Sequence, residues 1–195
     1  MQTAVKVKIC GLTRREDVEL AIELGADYLG FVLIPSSKRY VTLAQSRDLT
    51  ANVPLKVKTV AVVANPSSAE LNEIRDIFNI VQFHSDESSE IAQGANSWKA
   101  LSSCTDSTKF DEYKVGRFVV DSAVGGSGIC CDWNIAAEVA KRYKILLAGG
   151  LSPENIAEAI RAVRPWGVDV AGGVESSPGI KSKEKMVRFI KEAKK

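Results

Sequence analysis

Two hydrophobic patterns alternate along the chain. Short runs rich in Val, Ile and Leu, with little polar alternation, fall at Val5–Ile9, Tyr28–Leu33, Val57–Val63, Ile80–Phe83, Trp98–Leu101, Phe118–Val120, Ile145–Ala148 and Gly167–Val170. Runs of this kind suit strands buried on both faces, as in a parallel sheet. Between them lie amphipathic stretches with helix-start signals. Thr13-Arg14-Arg15-Glu16, Thr42-Leu43-Ala44-Gln45 and Ser67-Ser68-Ala69-Glu70 each have the capping-box spacing. Ser152-Pro153 offers an N-cap followed by Pro at the first helical position.

Eight strands with helices between most of them predict an α/β protein: a single-domain (β/α)8 TIM barrel over residues 1–195. Its 195 residues leave about 24 per unit, so the barrel must be compact and one unit trimmed. The weakest unit is 102–116, where Thr105, Asp106, Ser107 and Thr108 interrupt any helical face, so the fifth helix is expected to be short or missing. A weak internal repeat agrees. Gly11-Leu12-Thr13 with Asp17-Val18 and Ala21-Ile22 echoes Gly150-Leu151-Ser152 with Asn155-Ile156 and Ala159-Ile160. A doubly wound open sheet is the rival fold, but no Gly-x-Gly-x-x-Gly follows the first strand.

Composition excludes several classes. With 45% hydrophobic and 26% charged residues the chain is globular, and a net charge of +2 gives no electrostatic case for nucleic acid. No apolar run reaches membrane-span length, and Met1-Gln2-Thr3-Ala4 does not start a signal peptide, so a cytoplasmic location is expected. The four cysteines, at 10, 104, 130 and 131, and the single His84 lack metal-ligand spacing, so no metal is expected. The basic run from Lys181 to Lys195 reads as the solvated face of the last helix. Monomer and homodimer both remain open.

A barrel of this type carries its active site at the C-terminal strand ends. Cys10 ends the first strand, His84 the fourth and Asp121 the sixth, while Asp169 sits near the end of the eighth. Lys38-Arg39 lies in the second loop. Glycine turns follow strand six (Gly125-Gly126-Ser127-Gly128), strand seven (Gly149-Gly150) and strand eight (Gly172-Gly173). Each has a bland reading, since Cys is a common packing residue, Asp caps turns and loop Arg is often merely solvated. Those readings would all have to coincide on one rim. The last two turns suit a phosphate, because glycine lets backbone N–H groups approach an anion closely. A small phosphorylated molecule is the expected ligand.

With these residues in hand, the chain resembles the phosphoribosylanthranilate isomerases of tryptophan biosynthesis. The resemblance runs from about Val5 to Phe189. It rests on Lys8-Ile9-Cys10-Gly11-Leu12-Thr13, Gly25-Ala26-Asp27-Tyr28-Leu29-Gly30-Phe31, Ser37-Lys38-Arg39-Tyr40-Val41 and Val81-Gln82-Phe83-His84. Asp121-Ser122, Gly125–Gly128, Asp132-Trp133, Leu147–Asn155 and Gly173–Gly179 complete it.

The resemblance implies an Amadori rearrangement without metal or organic cofactor. N-(5-phosphoribosyl)anthranilate would become the 1-(2-carboxyphenylamino)-1-deoxyribulose 5-phosphate. It casts Asp121 as the general acid, Cys10 as the general base and Arg39 as partner of the anthranilate carboxylate. Asp169 would steady the sugar hydroxyls, with His84 and Gly126 lining the substrate and Gly149, Gly150, Gly172 and Gly173 holding phosphate. A free thiol is only a few per cent ionised at neutral pH, so the start of the first helix or the substrate is expected to favour the thiolate.

Three departures from the family pattern stand out. Ser85-Asp86-Glu87 follows His84 where Gly and an acid are usual, so the fourth loop is expected to differ. Ala171-Gly172-Gly173 offers phosphate no hydroxyl, and Cys130-Cys131 precede Asp132 as packing residues. Two alternatives stay open. One is a histidine-pathway or bifunctional phosphoribosyl sugar isomerase, against which Cys10 and the chain length argue. The other is a phosphate-binding barrel without catalysis.

Overall fold

Eight parallel strands close into one barrel in chain order: β1 (Lys6–Ile9), β2 (Tyr28–Val32), β3 (Lys58–Val63), β4 (Ile80–Phe83), β5 (Gly94–Ser102), β6 (Val115–Asp121), β7 (Ile145–Leu147) and β8 (Gly167–Val170). The computed structural model describes residues 4–121 and 132–195. Helices α1 (Arg15–Glu23), α2 (Leu43–Thr50), α3 (Ser68–Ile77), α4 (Trp133–Arg142), α5 (Ile156–Val163) and α6 (Lys183–Ala193) accompany the strands. A short hairpin, β9 (Glu175–Ser177) with β10 (Ile180–Lys181), precedes α6. No described helix is long and apolar enough to cross a membrane.

The strand runs look continuous because alternate residues enter two different cores. Val7, Ile9, Leu29, Phe31, Val168 and Val170 face outward into the layer shared with the helices, beside Val18, Ala21, Phe189 and Ile190. The intervening positions fill the barrel, where Val60, Ile80, Trp98, Val119 and Leu146 form an apolar plug. Trp98 is fully enclosed, edge-on to Tyr28 at a ring separation of 5.0 Å. A second inward group, Cys10, Val32 and Val62, lies at the strands' C-terminal ends.

The fifth unit is trimmed as its sequence predicts, with only a 3-10 turn at Ser107–Glu112 between β5 and β6. The fourth connection also lacks an α-helix, which the periodicity did not reveal. β5 starts four residues earlier than its apolar run, at Gly94, and leaves too little chain after β4. Buried Glu87 organises that loop instead. It pairs with Lys99 Nζ at 2.8 Å and accepts the N–H groups of Asn65 and Ser85 at 3.0 Å each.

Capping boxes form at Thr42/Gln45 and Ser67/Glu70. The predicted box at Thr13/Glu16 does not. α1 takes Arg14 as its N-cap without a side-chain bond, because the Thr13 hydroxyl donates to the Gly179 carbonyl at 2.6 Å and ties the first loop to the hairpin. α5 begins at Ile156 rather than at Pro153. A turn intervenes, held by Asn155, whose Oδ1 accepts the Ser152 N–H at 2.8 Å and whose Nδ2 donates to the Gly150 carbonyl at 2.9 Å.

Candidate active site

The strand ends surround one cavity of about 820 Å³ at the barrel's C-terminal mouth, and Cys10, Arg39, His84, Asp121, Gly149, Gly150, Asp169, Gly172 and Gly173 all line it. Cys10 follows β1 directly and Asp121 closes β6, three strands round the barrel through β8 and β7. Gly126, Cys130 and Cys131 lie outside the described residues.

Beneath the mouth sits a buried polar layer that strand-end reasoning missed. Lys8 points inward from the middle of β1, and its Nζ donates to Gln82 Oε1 and Asp169 Oδ2, each at 2.8 Å. The same nitrogen stands 3.3 Å from Cys10 Sγ. Space for this arrangement comes from Gly30 on β2. A Cβ there would lie 2.8 Å from Cys10 Sγ and 3.0 Å from Lys8 Cε. A lysine within the first strand does not by itself mark this role in the sequence, since Lys6 two positions earlier is only part-buried.

A second charged cluster adjoins the sulfur. Lys181, read as solvated, is in fact 4% exposed, because β10 turns it inward before α6 begins. Its Nζ donates to the Cys10 carbonyl at 2.6 Å and to Glu175 Oε1 at 2.9 Å. Arg39 donates to the same carboxylate from Nε and Nη2, both at 2.8 Å. Glu175 thus occupies one edge of the guanidinium fork, and among the described residues the end-on Nη1–Nη2 edge remains for a second anion.

Burial pushes the Cys10 thiol above its ordinary range, against the pull of Lys8 and Lys181 and with a further push from Asp169. The positive groups beside the sulfur are therefore these two lysines, while α1 starts only at Arg15. Burial also opposes the Lys8 charge, but Asp169 and Cys10 outweigh it and hold the ammonium above its usual value. Around His84 the surrounding protein disfavours the imidazolium although the ring still meets solvent in the cavity. Asp121 counters this, and the net shift is downward. Asp169 Oδ1 is buried and finds no hydrogen-bond partner among the described residues.

The glycine turns form the remaining wall. Gly149 and Gly150 have φ of 81° and 65°, a backbone region that side chains rarely adopt. Gly172–Val174 makes a 3-10 turn, whose first amides have no partner within the turn itself. A Cβ on Gly173 would run into the Leu151 carbonyl, so the two loops can approach only through glycine.

Fold and cavity define an enzyme of the (β/α)8-barrel class, with its polar groups gathered at the C-terminal rim. The family model described as N-(5'phosphoribosyl)anthranilate (PRA) isomerase matches residues 7–192. The N-(5'-phosphoribosyl)anthranilate isomerase of Pelobacter propionicus is 41% identical over 200 residues, covering 97% of this chain and 96% of its own. The crystal structure of phosphoribosyl anthranilate isomerase from Thermus thermophilus superposes with a TM-score of 0.88 at 33% identity, over 96% of this chain and 98% of that one. An isomerase crystallised with reduced 1-(o-carboxyphenylamino)-1-deoxyribulose 5-phosphate gives a TM-score of 0.82 at 32% identity, over 97% and 98%. This chain belongs to the phosphoribosylanthranilate isomerase family.

Proposed function

We propose that the chain converts N-(5'-phosphoribosyl)anthranilate to the corresponding 1-deoxyribulose 5-phosphate in tryptophan biosynthesis, with Cys10 and Asp121 as base and acid. The observation that carries this reading is that both residues line one cavity with the paired glycine turns and Arg39. Asp121 gives its proton to the ribose ring oxygen, the C1–O bond breaks, and the anilino nitrogen supplies the electron pair for an iminium. The iminium acidifies the C2–H bond. Cys10 as thiolate takes that proton, leaving an enolamine that tautomerises to the ketone. The reaction is an isomerisation, so proton loss at C2 is balanced by proton gain elsewhere on the same molecule.

The remaining residues bind and orient. Asp169, with Oδ2 fixed by Lys8 and Oδ1 without a partner among the described residues, is suited to accept a sugar hydroxyl. The end-on edge of Arg39 suits the planar carboxylate of the anthranilate ring. Gly149, Gly150, Gly172 and Gly173 supply backbone donors for the phosphate, in keeping with the usual phosphate position after strands seven and eight. The test is direct: the purified chain should consume N-(5'-phosphoribosyl)anthranilate, followed as loss of its fluorescence. Absence of turnover with the folded chain rejects the reading.

A further inference from the structure

Lys8 is wholly buried, and the three bonding positions of its ammonium are filled by Gln82, Asp169 and Cys10. Such a cation is costly to bury unless paired, and an apolar residue would pack a barrel interior more cheaply. Its neighbours suggest what it does. The charged groups around the Cys10 sulfur are Lys8 on β1, Asp169 on β8, Lys181 on β10 and, from the second loop, Arg39, with Glu175 bound to the last two. Three cations therefore face two carboxylates close to the sulfur, and Asp121 and His84 line the same cavity from the ends of β6 and β4. This surplus of positive charge opposes the burial that disfavours a thiolate at Cys10.

We propose that Lys8 is a positioning residue for the isomerisation, the counter-cation shared by Cys10 and Asp169. The inference rests on Cys10 being the base. Lys8 stabilises the sulfur as an anion when the thiol proton leaves to water, and it fixes the Asp169 carboxylate so that one oxygen stays turned from the lysine. When the thiolate then takes the C2 proton, negative charge leaves the sulfur and Lys8 keeps Asp169 as its remaining anion. The ammonium is thus never left buried without a partner. A compact ammonium suits this task better than a guanidinium, since three acceptors meet at one nitrogen.

The test is the pH dependence of Cys10 alkylation by iodoacetamide, read by mass spectrometry on the peptide that contains Cys10. It needs no substrate, so it remains decisive even if turnover is absent. Lys8→Met should move the inflection to higher pH by about one unit, slowing alkylation roughly tenfold below it. Asp169→Asn should move it to lower pH, because a negative neighbour is removed, and Lys8→Arg should fall nearer the wild type than Lys8→Met. In turnover, the rising limb of kcat/KM should shift with the alkylation inflection. A merely structural Lys8 would lower stability and leave the inflection in place. A folded Lys8→Met with the wild-type inflection overturns the proposal. If Lys8→Met does not fold, an unmoved inflection in Asp169→Asn overturns it equally.

Discussion

Arg39 and Glu175 meet through two bonds of 2.8 Å, Nε to Oε1 and Nη2 to Oε2, and so join the loop after β2 to the hairpin after β8. Glu175 also accepts from Lys181 at 2.9 Å and from the Gly179 N–H at 3.3 Å. Although burial opposes its charge, Arg39 and Lys181 together hold its carboxyl below the usual range. Glu175→Gln leaves two buried or half-buried cations without a carboxylate. It should lower unfolding free energy by about 3–5 kcal/mol and raise KM, measured by urea unfolding and steady-state kinetics. Unchanged stability and KM would show that the contact holds neither the loop nor the guanidinium.

Arg39→Ala removes the proposed carboxylate partner itself. KM should rise by at least tenfold while kcat changes less, because a contact made equally in ground and transition states affects binding. An unchanged KM would reject the contact.

Gly30→Ala tests the space above Lys8. The added methyl would press on both Cys10 Sγ and Lys8 Cε. Overpacking of this kind costs about 1–3 kcal/mol of stability. The displaced sulfur should cost kcat roughly 10–100-fold, as misplaced reacting groups do. A folded Gly30→Ala with wild-type kcat would place the sulfur outside the chemistry.

The Lys99–Glu87 pair makes a prediction about pH. Burial opposes the Glu87 charge, but the Lys99 bond and the backbone N–H bonds dominate and lower its pKa from the ordinary 4.5. Its stabilisation is therefore complete above pH 4.5 and is lost as the pH falls through the lower, folded-state value. Glu87→Gln should destabilise the chain by about 3–5 kcal/mol at neutral pH and flatten the acid limb of stability against pH. Parallel acid limbs in the two proteins would contradict this.

Much of this architecture was legible because a parallel barrel writes a strong signal: strands buried on both faces read as unbroken apolar runs, and the rim follows from where they end. Cys10, Asp121, His84 and Asp169 could be found that way. Lys8 and Gln82 could not, since they lie within strands and their importance depends on partners 74 and 161 residues away. Lys181 was hidden by its basic surroundings, and only the hairpin turns it inward. Thr13 had the right spacing for a cap, but a tertiary partner, the Gly179 carbonyl, won its hydroxyl.

The most direct measurement is the rate at which Cys10→Ser and Asp121→Asn consume N-(5'-phosphoribosyl)anthranilate, with folding and product affinity checked alongside. Each substitution should reduce turnover by about 10²–10⁴ while the fold and most product affinity are retained. A rate near that of the unmodified chain in either variant would contradict the assignment of base and acid.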